Sequence, residues 1–365
     1  SETRDGDSLL LTIDRTVQTT ACTKLDEAVK KHGADGGTVI IVQPTTGNII
    51  AICGSPSYDA NAYAQADSPS LYINQAVAEQ YEPGSVMKAM TLSAGVNEGL
   101  ITPDTTYEDK GSVQIGKYTI RNSDNKTYGT QTMSGVLEQS INTGAMFVED
   151  KLGQAKFRQY LKNFGFSEKT GVTLQGEAKG DLSSLNKKGD IYSATASFGQ
   201  GISVTPIQMV MAYASLANGG TLMQPRIVDT IVRPSGYKQI TQPKSVRQVV
   251  TPETARTMMA MLVNVVRKGH GKRAAVTGYY IGGKTGTAQV PYSDRAGYDP
   301  SKHNGTFVGF GPMSNPQFVM LVLLNTPRDV EFAESSAAPL FGDIADFLVH
   351  YYQIPKDDTQ ATTTP

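Results

Sequence analysis

The chain has 365 residues, 39% hydrophobic and 18% charged, enough for one large folded domain or two ordinary ones and too apolar for global disorder. A formal net charge of −1 with no Lys/Arg-rich block argues against nucleic acid as the main partner. The longest purely apolar run, residues 318–324, is far too short to span a bilayer, and the only cysteines, Cys22 and Cys53, cannot form a zinc site alone. Those two read most simply as small buried apolar residues, with a disulfide between them left open.

Residues 14–32 predict a helix. Asp14 can cap it, Val17, Ala21, Leu25 and Ala28 repeat at helical spacing, and Gly33 can end it. Two β-type runs follow, 38–43 and 49–53, joined by a turn around Gly47, which is a hairpin signature. Residues 85–99 read as a helix apolar on most faces. Helical stretches alternate with glycine-rich turns from about 132 to 220. Strands return at 279–290, 306–310 and 318–324, and a last helix near 336–352 precedes a polar tail, 354–365, expected to be disordered. The predicted class is α/β in the α+β sense: one antiparallel sheet built from both chain ends, flanked by helices, with a helical subdomain in the middle and a single domain over 1–353.

Several motifs can be set aside on context. Gly278-x-x-x-x-Gly283-Lys284-Thr285 spells a phosphate-binding loop, which needs a strand before it and a helix after it. Here Tyr279, Tyr280 and Ile281 are strand residues, Pro291 follows, and no helix begins after Thr285. Gly6-Asp7-Ser8-Leu9 resembles a serine-esterase motif. Its partner Asp-x-x-His is absent, the nearest spacing being Asp346-x-x-x-His350. None of His32, His270, His303 and His350 has a convincing triad partner.

A serine without a histidine base can be activated by a lysine whose pKa is lowered by burial or by a neighbouring positive charge. Ser-x-x-Lys occurs four times, beginning at Ser85, Ser123, Ser184 and Ser235. Only Ser85 opens an apolar helix, with Val86, Met87, Ala89, Met90 and Leu92 around Lys88, an environment that desolvates an ammonium. The plain alternative is a helix-capping serine with a lysine that snorkels to solvent. Ser-x-Asn also recurs, at Ser123, Ser140 and Ser184, and Lys-Thr-Gly at Lys169 and Lys284. One combination stands apart: Ser85-x-x-Lys88, then Ser140-Ile-Asn142 between helices, then Lys284-Thr-Gly-Thr287 on a late strand.

That combination resembles the penicillin-binding proteins, specifically the transpeptidase domain of the monofunctional (class B) kind. The resemblance runs over nearly the whole chain, in order. Residues 9–14 (LLLTID) and 55–59 (SPSYD) with Asn61 come first. Residues 82–88 (EPGSVMK) and 140–142 (SIN) follow. Residues 197–201 (SFGQG), Thr205-Pro206-x-Gln208, 283–287 (GKTGT) and 338–341 (APLF) complete it. The resemblance implies a penicillin-binding/β-lactamase-like fold and a peptidoglycan D,D-transpeptidase that is acylated and inhibited by β-lactams. Ser85 would be the nucleophile, Lys88 its base and Ser140 a proton relay. Asn142, Lys284, Thr285, Gly286 and Thr287 would bind the substrate, and the backbone N–H groups of Ser85 and Thr287 would form the oxyanion hole. Gly283 and Gly286 would let substrate approach the strand edge closely. Gly199–Gly201 and Thr205-Pro206 would shape the cleft without reacting, and Glu177 would be a solvated turn residue.

No cofactor and no metal is implied. The implied partners are peptidoglycan stem peptides, β-lactams on Ser85, and a membrane-embedded glycan polymerase reached through regions outside this chain. The implied place is the extracytoplasmic face of the bacterial cytoplasmic membrane. The chain begins at Ser1, so it reads as a trimmed or processed piece with its anchor upstream. Three rivals share the elements. A D,D-carboxypeptidase uses water in place of the amine. A non-catalytic β-lactam receptor only acylates. A β-lactamase of one class needs a Glu-x-x-Leu-Asn loop, and here Leu182 stands at the glutamate's place in 182–186.

Overall fold

The computed structural model describes residues 6–292, 294–295 and 297–357. Strand β1 (Ser8–Leu11) leads into helix α1 (Arg15–His32). Asp14 Oδ1 caps that helix by accepting from the N–H groups of Thr16 and Val17, and Gly33 ends it in the left-handed conformation that favours glycine. β2 (Gly36–Val42) and β3 (Ile49–Ser55) form the expected hairpin. The short helix α2 (Gln75–Ala78) precedes a 3-10 turn, Gly84–Met87, that runs directly into α3 (Lys88–Asn97).

Between α3 and α4 the chain makes two small ribbons that no periodicity in the sequence announces. β4 (Thr106–Asp109) pairs with β7 (Gly129–Thr132), and β5 (Ser112–Ile115) pairs with β6 (Tyr118–Arg121). Helices α4 (Met133–Glu138), α5 (Asn142–Leu152), α6 (Gln154–Asn163), α7 (Ile191–Ala196) and α8 (Pro206–Ala217) follow. β8 (Thr221–Met223), β9 (Val228–Val232), β10 (Lys238–Ile240) and β11 (Ser245–Gln248) form minor sheets. One of these pairs β1 with β9 and puts Ser8 opposite Val232, so Ser8 and Leu9 of the esterase-like segment lie on an exposed strand. After α9 (Pro252–Lys268) come β12 (Gly282–Pro291), β13 (Tyr298–Gly311), β14 (Phe318–Asn325) and α10 (Ala337–Tyr351).

The main sheet has the order β12-β13-β14-β2-β3, antiparallel throughout, so both chain ends contribute as expected. All of β2, and all of β14 except Asn325, is buried. That burial explains why 318–324 reads as an unbroken apolar run rather than an alternating one. Successive residues still point to opposite faces. Ile40, Val308 and Leu321 join one core with α3, α5, α8 and α9, while Val39, Phe307 and Met320 join another with α1 and α10. Among the described residues no helix is long and apolar enough to cross a membrane.

Two expectations need correction. Cys22 on α1 and Cys53 on β3 are not free core residues: they are joined by a disulfide, with Cα atoms 5.4 Å apart. The pairing arises because α1 packs along β3, which no local spacing encodes. The chain beyond α10, placed in the tail from residue 354, stays docked as far as Asp357. Tyr279 Oη donates to the Ile354 carbonyl, and Asp357 Oδ2 accepts from the Tyr280 N–H. Residues 358–365 lie outside the described residues.

Candidate active site

The turn from Glu82 to Lys88 sets the site. Its first helical turn is 3-10, where residues three apart eclipse, so Ser85 and Lys88 share a face. Gly84 has φ +59°, and its N–H donates to the Gly199 carbonyl at 3.1 Å. The opposite wall is as tight: a Cβ on Gly199 would sit 2.2 Å from the Gly84 carbonyl oxygen, and its φ of +86° already disfavours a side chain. Glu82 clamps the same turn from outside, accepting from the Gly201 N–H and from Tyr298 Oη. The segment 197–201 therefore holds the backbone of Ser85 in place. Gly199→Ala should displace that backbone by a fraction of an ångström to an ångström and slow the acylation by β-lactams that the resemblance implies by about 10²-fold, measured with a fluorescent penicillin.

Ser140 sits between two helix ends. The N–H of Ile141 bonds the Val136 carbonyl at 2.9 Å and the N–H of Ser140 bonds Leu137 at 3.3 Å, a Schellman ending for α4. The motif requires a left-handed residue at Ser140, whose φ is +56° where glycine is usual. That conformation aims the side chain into the cleft. Lys88 Nζ donates to Ser140 Oγ at 3.2 Å and to its carbonyl oxygen, while Lys284 Nζ lies 2.9 Å from the same Oγ. One hydroxyl thus bridges two amines, both fully buried.

Burial pushes the Lys88 pKa well below the ordinary ammonium value, the Lys284 charge adds to this, and Asp124 opposes it. Burial also lowers Lys284, to about 7, with the Glu334 carboxylate acting in the opposite sense. Burial therefore favours the neutral amine at Lys88. The snorkelling alternative for Lys88 does not apply, since nothing of the residue reaches solvent.

A cavity of about 650 Å³ joins these groups. Ser85, Ser140, Asn142, Thr285 and Thr287 line it, and Lys284 points to it through Ser140. Thr287 Oγ1 accepts from the Ala333 N–H at 3.1 Å, which leaves its proton free to donate into the cavity. The sequence reading did not reach Asp124, Glu331 or Glu334, and set His270 aside as unpartnered; all four also line it. His270 Nδ1 and Glu334 pair at 2.8 Å across its rim. No motif flags that pair, because its partners are 64 residues apart.

The two glycines of the late strand have a packing reason as well. A Cβ on Gly283 would meet the Phe307 ring at 2.6 Å, and one on Gly286 would meet the Pro83 carbonyl oxygen at 2.8 Å. They let β12 pack on the core and on the Ser85 turn. The second Lys-Thr-Gly, at Lys169, is not in the cavity. Thr170 and Gly171 are tied instead by Glu177, which accepts from both of their N–H groups and from Thr170 Oγ1, so Glu177 is a loop-fixing residue rather than a solvated one.

Residues 37–346 match the family described as the penicillin binding protein transpeptidase domain. The chain belongs to that family. The transpeptidase domain is similar to stage V sporulation protein D of Bacillus subtilis, at 37% identity over 93% of this chain and 53% of that protein. It is also similar to a probable peptidoglycan D,D-transpeptidase, PenA, of Neisseria flavescens, at 30% over 93% of this chain and 82% of the relative. Penicillin-binding protein 3 of Mycobacterium tuberculosis, solved with aztreonam, superposes with a TM-score of 0.90 at 30% identity, over 96% of this chain and 80% of that one. The expected fold is thereby established. This transpeptidase domain spans about half the length of the first relatives it matches, 53% and 56%.

Proposed function

We propose that this domain is a peptidoglycan D,D-transpeptidase that works through an acyl-enzyme on Ser85 and is inhibited by β-lactams. The observation that carries the reading is the Ser140 hydroxyl held between the buried amines of Lys88 and Lys284, in the cavity that Ser85 lines. The stem peptide's terminal carboxylate would meet Lys284 and the hydroxyls of Thr285 and Thr287, and Asn142 would hydrogen-bond the donor peptide. Ser85 Oγ attacks the carbonyl between the last two D-alanines while neutral Lys88 takes its proton. The backbone N–H groups of Ser85 and Thr287 receive the developing oxyanion; Gly84 lies against Thr287, where a Cβ would come 3.1 Å from the Thr287 carbonyl oxygen. The C–N bond then breaks. Ser140 gives its proton to the leaving D-alanine nitrogen and is reprotonated from Lys88. An acceptor amine attacks the ester, loses a proton to the same relay, and frees Ser85 as the crosslink forms.

Hydrolysis of the acyl-enzyme is disfavoured by the position of 182–186. Leu182 is buried, and among the described residues lining the cavity none comes from this segment. The disulfide supports an extracytoplasmic location, where such bonds persist. Anchoring to the membrane and association with a glycan polymerase would rest on regions outside this chain.

Intact-mass spectrometry with benzylpenicillin tests the reading. A one-to-one adduct lasting hours and mapping to Ser85 is expected. Release of D-alanine from a stem peptide should then depend on an added amine. An adduct that disappears as drug is consumed would make the protein a β-lactamase, and D-alanine release indifferent to amine would make it a carboxypeptidase.

A further inference from the structure

The arrangement around Ser140 leaves one structural demand unmet locally. Ile141 is the residue that should cap α5, but its side chain has no hydrogen-bonding group and no side-chain cap bond is made. It is committed instead to the ending of α4, where the buried pair Ile141 and Val136 supplies the apolar contact of the Schellman motif. Two helix ends therefore meet with Ser140 between them, and the first N–H groups of α5 need a partner from elsewhere.

Asn122, which follows β6, is that partner. Its Oδ1 accepts from the N–H of Asn142 at 3.1 Å and from the N–H of Thr143 at 3.3 Å. Those two donors fix the orientation of the amide, so its Nδ2 faces the other way. Nδ2 donates to Asp109 Oδ2 at 2.9 Å and to the Lys126 carbonyl at 3.0 Å. Asp109 is 1% exposed and Asn122 is 2% exposed. The carboxylate of Asp109 is fully engaged. It also accepts from Thr143 Oγ1 at 2.6 Å, the Tyr128 N–H at 2.8 Å and the Gly111 N–H at 3.0 Å.

We propose that Asn122 and Asp109 are positioning residues: their buried pair caps α5 in trans and thereby holds Ser140, in its left-handed conformation, between Lys88 and Lys284. The proposal rests on the serine–lysine reading above and adds to it two residues outside the three motifs. The pair is built to resist a shift. A charged acceptor beside a helix N-terminus adds charge-assisted hydrogen bonds and favourable helix-dipole interaction. The cap also fixes the segment 119–126 that lines the cavity. Ser140 acts in proton transfer and not in carboxylate capture, so loosening it should slow the chemical step and spare the binding step.

The test uses acylation by benzylpenicillin, with the limiting rate resolved from the half-saturating concentration. D109N sets an amide N–H against donors that the carboxylate accepted, either Asn122 Nδ2 and the Tyr128 N–H or the Gly111 N–H, and N122D places carboxylate against carboxylate. Each single variant is expected to lose about 10²-fold in limiting rate, with half-saturation changed by less than about threefold. In the D109N/N122D swap the amide at position 109 donates to the carboxylate at position 122, which still accepts from the two helix N–H groups, while the Tyr128 N–H and the Lys126 carbonyl lose their partners. The swap is expected to recover part of the loss and to run at least about threefold faster than either single variant. A merely structural role would lower the fraction of active molecules and leave the rate of those that remain unchanged. Singles that acylate at the parent rate, or a swap no faster than the singles, would overturn the proposal. A parent protein that forms no adduct would overturn the proposed function instead.

Discussion

Lys88→Met is expected to slow acylation by about 10²- to 10⁴-fold, the usual contribution of a positioned general base. Methionine fills nearly the same volume, so the Ser85 turn should keep its shape and the loss should report chemistry rather than packing. The pH profile gives the sharper check. In the parent protein the rate should rise with pH as Lys88 loses its proton, at a pH well below the ordinary lysine value of 10.5. Capture of a carboxylate-bearing ligand should weaken above about 7, where Lys284 loses its charge. The acid limb should vanish in Lys88→Met while the alkaline limb stays. Stability follows the same linkage. The folded state depresses the Lys88 pKa, so it binds fewer protons than the unfolded chain, and the cost grows as pH falls from 10.5 towards the folded value. Removing the amine removes that cost together with the hydrogen bonds to Ser140, so the stability of Lys88→Met relative to the parent should improve as pH falls from 10.5. A pH profile unchanged by the substitution would reassign the base.

Removing the disulfide should have the largest effect on stability. Cys22 and Cys53 are 31 residues apart, and opening a loop of that length restores about 3–4 kcal/mol of unfolded-chain entropy. The double substitution Cys22→Ser/Cys53→Ser should lower the urea midpoint by about 1 M. Acylation by benzylpenicillin in buffer should be unaffected, because the bond lies at the β3 edge of the sheet and the cleft lies at the β12 edge. An unchanged urea midpoint would show that docking of α1, rather than the crosslink, carries this part of the fold.

The sequence made the site legible where chemistry demands particular residues at short spacing. Ser85 with Lys88, Ser140 with Asn142, and Lys284 to Thr287 are each set by one turn or one strand, so a linear reading finds them and their apolar context selects among the copies. What it missed depends on distant segments meeting. The disulfide needs α1 laid on β3. The His270–Glu334 pair needs α9 beside the segment before α10. Asp109 and Asn122 come from two ribbons whose four-residue strands carry too little periodicity to detect. The packing role of Gly283 and Gly286 escaped the sequence for a related reason. A glycine in a strand announces a close approach but not which neighbour approaches, and here the neighbours are Phe307 and the Pro83 carbonyl.

The two edges of the main sheet are treated in opposite ways. At β3 the edge is stapled by Cys22–Cys53 and covered by α1. At β12 the edge is open to the cleft, and an unpaired strand edge ordinarily invites unwanted pairing. Under the proposed function that edge would serve as a docking rail. A peptide laid along β12 would be gripped chiefly by main-chain atoms, which every peptide possesses. Discrimination would then fall on the chain terminus, where Lys284, Thr285 and Thr287 wait, and the domain should tolerate varied side chains upstream while remaining strict about the last residue and its free carboxylate.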